Sequence, residues 1–322
     1  MDDVRWFASN AYTAAVIPEL RRLGLRVALE GNTPAHVTLA MSGRVAEAAW
    51  HHARAHRTTL AIYLWDLPPH RTSRGKADAI WYLGGKFVRL PRLFGGYLHR
   101  AGYYSRLRYV ALRADAVWTA SDFTRNLVQT RFGVGGSTVP YCYDSTRFRP
   151  GTGEHDVPPT LLTVSRLEGY KNQAAVLRAA ARIRREVQVR LIGRGPEAPR
   201  LRMLGQDLSV RCRIETAADD ATVERAYHVA GVVVCPSRFE GMGLGPIEAI
   251  ASGTPVVVSD IPAHREFVGL AARLVPLDDD VALASAIVAA LDGPAPDPRA
   301  VAHLTIPAAA DRIMASLAPL LR

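Results

Sequence analysis

Short apolar runs and amphipathic stretches alternate along the chain, a pattern that predicts α/β layers built on parallel sheets. In the first half, strands are expected at Val4–Ala8, Arg26–Leu29, Val37–Met41, Thr59–Leu64 and Ala116–Ala120, and Ser137–Tyr141 closes the half. Helices are expected at about Thr13–Leu23, Val45–Ala55 and Phe123–Arg131, the last capped by Ser121 or Asp122. Residues 150–159 read Pro-Gly-Thr-Gly-Glu-His-Asp-Val-Pro-Pro, rich in breakers and without period. A domain boundary is placed there, with one domain over 1–150 and a second over 151–322. The second series has strands at Leu161–Ser165, Gln188–Ile192, Val232–Cys235, Val256–Ser259 and Arg273–Val275, with helices between. A last helix runs from about Ile306 to Leu321, with the option of packing back onto the first domain.

Composition narrows the class. A chain of 322 residues can hold two cores. With 48% apolar and 22% charged residues it is globular and not disordered. The longest apolar helical stretch, Val281–Leu291, is too short to cross a bilayer. The start, Met1-Asp-Asp, lacks the apolar segment of a signal peptide. Cys142, Cys212 and Cys235 are odd in number and without metal spacing, which fits reduced thiols in a cytoplasmic protein.

Charge adds a second distinction. Residues 1–150 hold 21 Lys/Arg against 10 Asp/Glu, while the remainder holds 19 against 20, so the first half owns the whole net charge of +10. Residues 71–113 carry ten Lys/Arg against one acid, Asp78, with Trp81, Tyr82, Phe87, Phe94, Tyr97, Tyr103, Tyr104 and Tyr109 interleaved. Such a stretch either lies peripherally on anionic headgroups at the inner face of the cell membrane or is a solvated face whose aromatics pack inward. No nucleic-acid-binding module is recognisable.

The chemistry concentrates in Glu240-Gly-Met-Gly-Leu-Gly-Pro-Ile-Glu248, between the strand Val232–Cys235 and a helix expected over Pro246–Ser252. Gly241, Gly243 and Gly245 let backbone N–H groups approach a ligand, and the helix N-terminus favours an anion such as phosphate. Two carboxylates beside an anion site need partners of their own, and sugar or ribose hydroxyls supply them. A nucleotide-sugar has both parts: a diphosphate with polyols on either side. Arg166 and Lys171, in Ser165-Arg-Leu-Glu-Gly-Tyr-Lys-Asn172 after the strand Leu161–Ser165, can both reach one diphosphate. They should lie on the same sheet edge as the glycine turn, where ligands of open α/β sheets bind. A competing signal is Gly193-Arg-Gly195-Pro-Glu-Ala198, a dinucleotide pattern with Glu215 about 20 residues on, although Pro196 and its late strand fit that pattern poorly. No acidic cluster has metal spacing, and Asp278-Asp-Asp280 reads as a solvated turn.

These motifs resemble retaining glycosyltransferases of the GT-B fold, family 4 type. The matching features are E-x7-E at Glu240 and Glu248, S-R-L-x-x-x-K-N at Arg166 and Lys171, the strand-loop Gly193-x-Gly-Pro, and Glu248-Ala-Ile-Ala-Ser-Gly-Thr-Pro-Val-Val257. The likeness covers about residues 160–270 and is loose over 1–150. It implies two Rossmann-like domains facing across a cleft, the first for the acceptor and the second for the donor. It also implies metal-independent transfer of a hexose to a hydroxyl with retention, from a UDP- or GDP-sugar and without a cofactor, to a sugar, lipid-linked or small-molecule acceptor. By the same resemblance Arg166 and Lys171 hold the diphosphate, Glu240 holds sugar hydroxyls, the amides of Gly241, Met242, Gly243 and Leu244 contact sugar and phosphate, and Glu248 binds the ribose. Gly193 passes close to the nucleotide or phosphate. The first half departs from the family: Ser9-Asn10-Ala11-Tyr12 replaces the usual glycine pair, and Trp65-Asp66 lacks the usual preceding His, with His70 four residues on. Asn10, Asp66 and His70 are the acceptor-side candidates. Three alternatives remain open at this point: glycoside cleavage by Glu240 and Glu248, an inactive sugar-nucleotide-binding subunit, and a dinucleotide-dependent oxidoreductase.

Overall fold

The computed structural model describes residues 2–7, 11–29, 35–64, 79–83, 86–90, 95–151 and 155–322. Its first elements are β1 (Asp2–Phe7), α1 (Ala11–Arg22), β2 (Val27–Leu29), β3 (Ala35–Ala40), α2 (Ala46–His56), β4 (Thr59–Leu64), β5 (Ala79–Leu83) and β6 (Lys86–Leu90). Then come α3 (Gly95–Ala111), β7 (Ala116–Thr119), α4 (Asp122–Phe132) and β8 (Ser137–Thr138). The second series is β9 (Thr160–Val164), α5 (Gln173–Ala180), β10 (Gln188–Ile192), α6 (Ala198–Asp207), β11 (Cys212–Glu215), α7 (Asp220–Val229), β12 (Val232–Cys235) and α8 (Leu244–Ala251). It closes with β13 (Val256–Ser259), α9 (Pro262–Phe267), β14 (Arg273–Val275), α10 (Asp280–Leu291) and α11 (Ile306–Leu317). The chain divides into two compact units, Met1–Cys142 with Ile306–Arg322, and Tyr143–Thr305.

In the first unit a six-stranded parallel sheet runs β2-β1-β3-β4-β7-β8. Leu60, Ile62 and Leu64 alternate along β4 and meet Ala46, Ala49, Trp50 and Ala53 of α2 in one core. The helix α4 starts at Ser121, whose hydroxyl accepts the Thr124 N–H at 3.0 Å, and stops at Gly133 in the left-handed region. The terminal helix α11 packs against α1. Within the basic segment, β5 and β6 pair antiparallel. The described aromatics of that segment turn inward: Tyr104 packs on Phe132, and Tyr109 stands edge-on to Trp50 with the Arg113 guanidinium stacked over it at 3.6 Å. No helix among the described residues is long and apolar enough to cross a membrane.

The second unit has its own parallel sheet, β11-β10-β9-β12-β13-β14. Its central strands are buried on both faces, which is why they read as unbroken runs such as Val232-Val-Val-Cys235. The chain starts at β9, works outward to β11, then returns to β12 on the other side of β9, where Val232 and Val233 pair with Leu161 and Leu162. The order reverses between β9 and β12, so the loops leaving their C-terminal ends diverge and open a crevice there. The helix α8 begins two residues ahead of expectation. Gly243, at φ 88°, turns the chain into it, and Pro246 sits inside the first turn where no N–H partner is required.

The Gly193-x-Gly195 pattern has a packing explanation. A Cβ on Gly193 would lie 1.9 Å from the Ser165 carbonyl oxygen, and one on Gly195 would lie 2.2 Å from that of Leu167. The loop after β10 therefore stacks directly on the loop after β9, with Leu167 N–H donating to Arg194 O at 2.8 Å and Glu197 N–H to Leu167 O at 3.1 Å. Because Gly193 also holds φ 143°, Gly193→Ala is expected to lower unfolding stability by more than about 2 kcal/mol in denaturant titrations.

Candidate functional site

Two loops meet at the reversal of strand order. The first leaves β9 at Ser165 and passes through a single turn of 3-10 helix, Gly169–Lys171, into Asn172, whose φ of 56° starts α5. The second leaves β12 at Pro236 and ends at Gly243. Backbone and side chain join them: Arg238 N–H donates to Tyr170 O at 2.8 Å, and Asn172 Nδ2 donates to Pro236 O at 3.3 Å. Gln173 Nε2 braces the first loop on Arg166 O at 2.8 Å and Ser165 Oγ at 2.9 Å. The Lys171 ammonium then donates to both Glu240 carboxylate oxygens, at 2.6 and 2.8 Å. Both side chains are largely buried, 14% and 13% exposed. Burial alone would push the lysine down, but the Glu240 carboxylate and Tyr170 more than offset it and hold it above its ordinary value. Lys171 and Glu240 line a small concavity with Thr163, Ser165, Ser237, Gly243, Leu244 and Gly245.

Arg166 shares Lys171's loop but is exposed, its guanidinium bonded to the Tyr170 hydroxyl and 5.7 Å from the centroid of that ring. Gly241, Gly243 and Leu244 are partly exposed around the turn, while Met242 is buried and pins it. Glu248 lies one turn further along α8, where its carboxylate accepts the Tyr227 hydroxyl at 2.8 Å. Burial raises its pKa above the ordinary 4.5, against the opposing pulls of that bond and of Arg147. Gly193 spends its N–H on Glu215 O at 2.9 Å. Asn10, Asp66 and His70 lie outside the described residues. Tyr170 and Tyr227 are site residues that sequence reasoning missed. A lone tyrosine carries no signal of its own, and only the tertiary fold brings the Tyr227 hydroxyl to Glu248.

Several competing chemistries lose their residues to other partners. Glu215 is engaged by Arg190 at 2.6 and 3.2 Å and by Arg213 at 3.0 Å, which removes it as the ribose acid of a dinucleotide site. Glu240 and Glu248 bind different partners, Lys171 and the Tyr227 hydroxyl. The run 278–280 consists of structural anchors: Asp278 pairs with Arg238, Asp279 caps α10, and Asp280 pairs with Arg178. Among the described residues no group of three or more His, Cys, Asp or Glu could hold a metal ion. Burial pushes the Cys235 thiol, at the edge of the concavity, up to about 12, so it is no nucleophile at neutral pH.

The two parallel sheets and the site at the strand-order reversal define a GT-B architecture. Solved structures agree: this fold is shared with sucrose-phosphate synthase from Thermosynechococcus elongatus, at a TM-score of 0.71 and 17% identity over 100% of this chain and 96% of that one. HepE of Anabaena, solved in complex with UDP and glucose, matches at a TM-score of 0.66 and 16% identity over 98% and 95%. Residues 158–293 match the family model Glycosyl transferases group 1, so this segment is similar to that family. It is 37% identical over 183 residues to the phosphatidyl-myo-inositol mannosyltransferase of Mycolicibacterium smegmatis, covering 53% of this chain and 47% of that one. It is 29% identical over 205 residues to the MMP alpha-(1->4)-mannosyltransferase of Mycolicibacterium hassiacum, covering 60% and 49%. The chain thus spans about half the length of each of these relatives.

Glu248 offers a test of site electrostatics that needs no ligand. Its folded pKa is raised, so stability is greatest where the group is neutral and is lost as pH rises from 4.5 through the folded value. Glu248→Gln still accepts the Tyr227 hydroxyl but never ionises. The variant is expected to melt above wild type at about pH 7 and level with it near about pH 4, measured by thermal unfolding at both.

Proposed function

We propose that this chain transfers a hexose from a nucleotide diphosphate sugar to an acceptor hydroxyl, retaining the anomeric configuration and using no metal. The observation that carries this reading is the Lys171–Glu240 pair, one cation and one carboxylate from two loops, buried together beside the α8 N-terminus. Among the described residues each is the other's ion-pair partner, and a ligand that parts them brings an anion for Lys171 and hydroxyls for Glu240. A diphosphate drawn to Lys171, with Arg166 swinging in from Tyr170, meets positive charge where the leaving group gains negative charge. Glu240 then accepts sugar hydroxyls, the amides of Gly241 to Leu244 face phosphate and sugar, and Glu248 takes the ribose. The acceptor attacks from the face the leaving group departs, with catalysis resting on electrostatics and positioning. The acceptor itself is a sugar, a lipid-linked polyol or a small molecule, met by Asn10, Asp66 and His70.

The relatives' names favour mannose as the sugar, and one, from Corynebacterium glutamicum, is described as GDP-mannose-dependent. We therefore take GDP-mannose as the donor to try first, with UDP-glucose as the main competitor. The arginines of the basic segment 71–113 would hold the protein peripherally on anionic lipid at the inner face of the membrane.

A thermal-shift panel of UDP-, GDP-, ADP- and dTDP-sugars with NAD should show stabilisation by one sugar nucleotide and none by NAD. Stabilisation by NAD alone would overturn the reading. With the best donor, Lys171→Ala should reduce kcat/KM by about 10²–10³, Glu248→Ala should chiefly weaken donor binding, and EDTA should leave turnover unchanged. The product anomer, read by proton NMR, should match the donor.

A further inference from the structure

Behind the glycine turn lies a histidine that none of the roles above uses. His264, on α9, is 0% exposed. Its Nδ1 is 2.8 Å from the Ser259 carbonyl oxygen, which can only accept, so Nδ1 carries the proton. The Ser259 hydroxyl is committed to Ser237 O. The other ring nitrogen, Nε2, is left as a buried lone pair with no hydrogen-bond partner. A buried acceptor without a partner is rare and calls for an explanation. The ring edge carrying Nε2 lies 3.4 Å from the point where Gly243 would carry a Cβ, and the Glu240 Cγ lies 3.6 Å from that same point. The imidazole and the stem of the site carboxylate therefore both lie against the Gly243 turn. Burial disfavours its protonated form most, the Glu240 carboxylate and the bond to Ser259 favour it, and the Lys171 ammonium opposes it, so the ring is held below the ordinary histidine value.

Donor binding upsets this balance. On the reading proposed above, Lys171 turns from Glu240 to the diphosphate, whose charge also cancels the repulsion between Lys171 and the ring. Glu240 is left as a buried carboxylate with hydroxyl partners but no counter-charge, a costly state. We infer that His264 is a positioning residue that takes up a proton from water at Nε2 when the donor binds and replaces Lys171 as the cation held against Glu240. Before the donor binds, lysine is paired with glutamate beside a neutral ring. The filled site holds lysine with diphosphate and imidazolium with glutamate. The buried, unpartnered Nε2 is the atom on which this exchange turns.

The inference rests on the donor-site reading, and calorimetry of the full chain separates the two. GDP-mannose and UDP-glucose are suitable probes because their diphosphate diesters do not titrate near neutral pH. Titrations at about pH 6 in two buffers of different ionisation heat report protons taken up on binding. Wild type should take up close to one proton with whichever sugar nucleotide binds, and its affinity should fall by up to about tenfold per pH unit as pH rises. His264→Asn keeps an N–H for Ser259 but cannot titrate. It should bind more weakly, take up no proton and lose the pH dependence, which a purely structural role would not produce. Binding by wild type without proton uptake, or uptake undiminished in His264→Asn, overturns the role of His264 alone. Failure of both sugar nucleotides to bind wild type overturns the donor-site reading and this inference with it.

Discussion

A buried ion pair that spans two loops is the constraint on which the second unit's site depends. Lys171 and Glu240 come from opposite sides of the central strand junction and meet with little solvent around them. Removing one partner from such a pair typically costs about 3–5 kcal/mol, because the other is left charged and dry. The pair therefore holds both loops in place. It also restricts what can enter, since a ligand that separates the two charges must replace both. An apolar ligand, or an anion with no hydroxyls to offer Glu240, leaves one side uncompensated.

The rest of the site is organised so that this pair can form. Strand-order reversal at β9 and β12 brings the loops to one edge. Backbone hydrogen bonds from Arg238 to Tyr170 and from Leu167 to Arg194 hold them in register. The glycines at 193 and 195 permit a third loop to lie flat on the first, closer than any side chain would allow. Their purpose here is backbone approach to backbone, and the same spacing is used in dinucleotide sites for approach to a ligand. The acidic groups nearby are mostly held in fixed roles as ion-pair partners or caps. Glu248 is the contrast: a carboxylate that accepts the Tyr227 hydroxyl and that burial holds above its ordinary pKa, an arrangement suited to accepting further hydroxyls.

The first unit shows how far periodicity alone can be read. Strands such as β4 and β7 and the capped helix α4 were legible because apolar alternation and a Ser cap are local signals. The hairpin β5–β6 was missed although Gly84-Gly85 separates its two runs by the two residues of a tight turn, because the interleaved basic and aromatic residues drew the reading towards an amphipathic surface stretch. The strand β11 escaped for a related reason. Cys212-Arg-Ile-Glu215 is an edge strand whose charged residues are satisfied by Arg190 across the ladder and by each other, and it lacks the apolar run of its neighbours.

From its residues alone the chain determined alternating α/β organisation, the glycine turn, and the short set of cations and carboxylates worth examining, because these follow from local pattern and side-chain chemistry. Tertiary structure decided their pairing. Residues 171 and 240 are 69 positions apart, and only the return of the chain to the far side of β9 sets them in contact. The same holds for Tyr227 on Glu248 and for the imidazole of His264 beneath Gly243. Each depends on which helix packs against which strand end, a property of the whole sheet and not of any window of sequence.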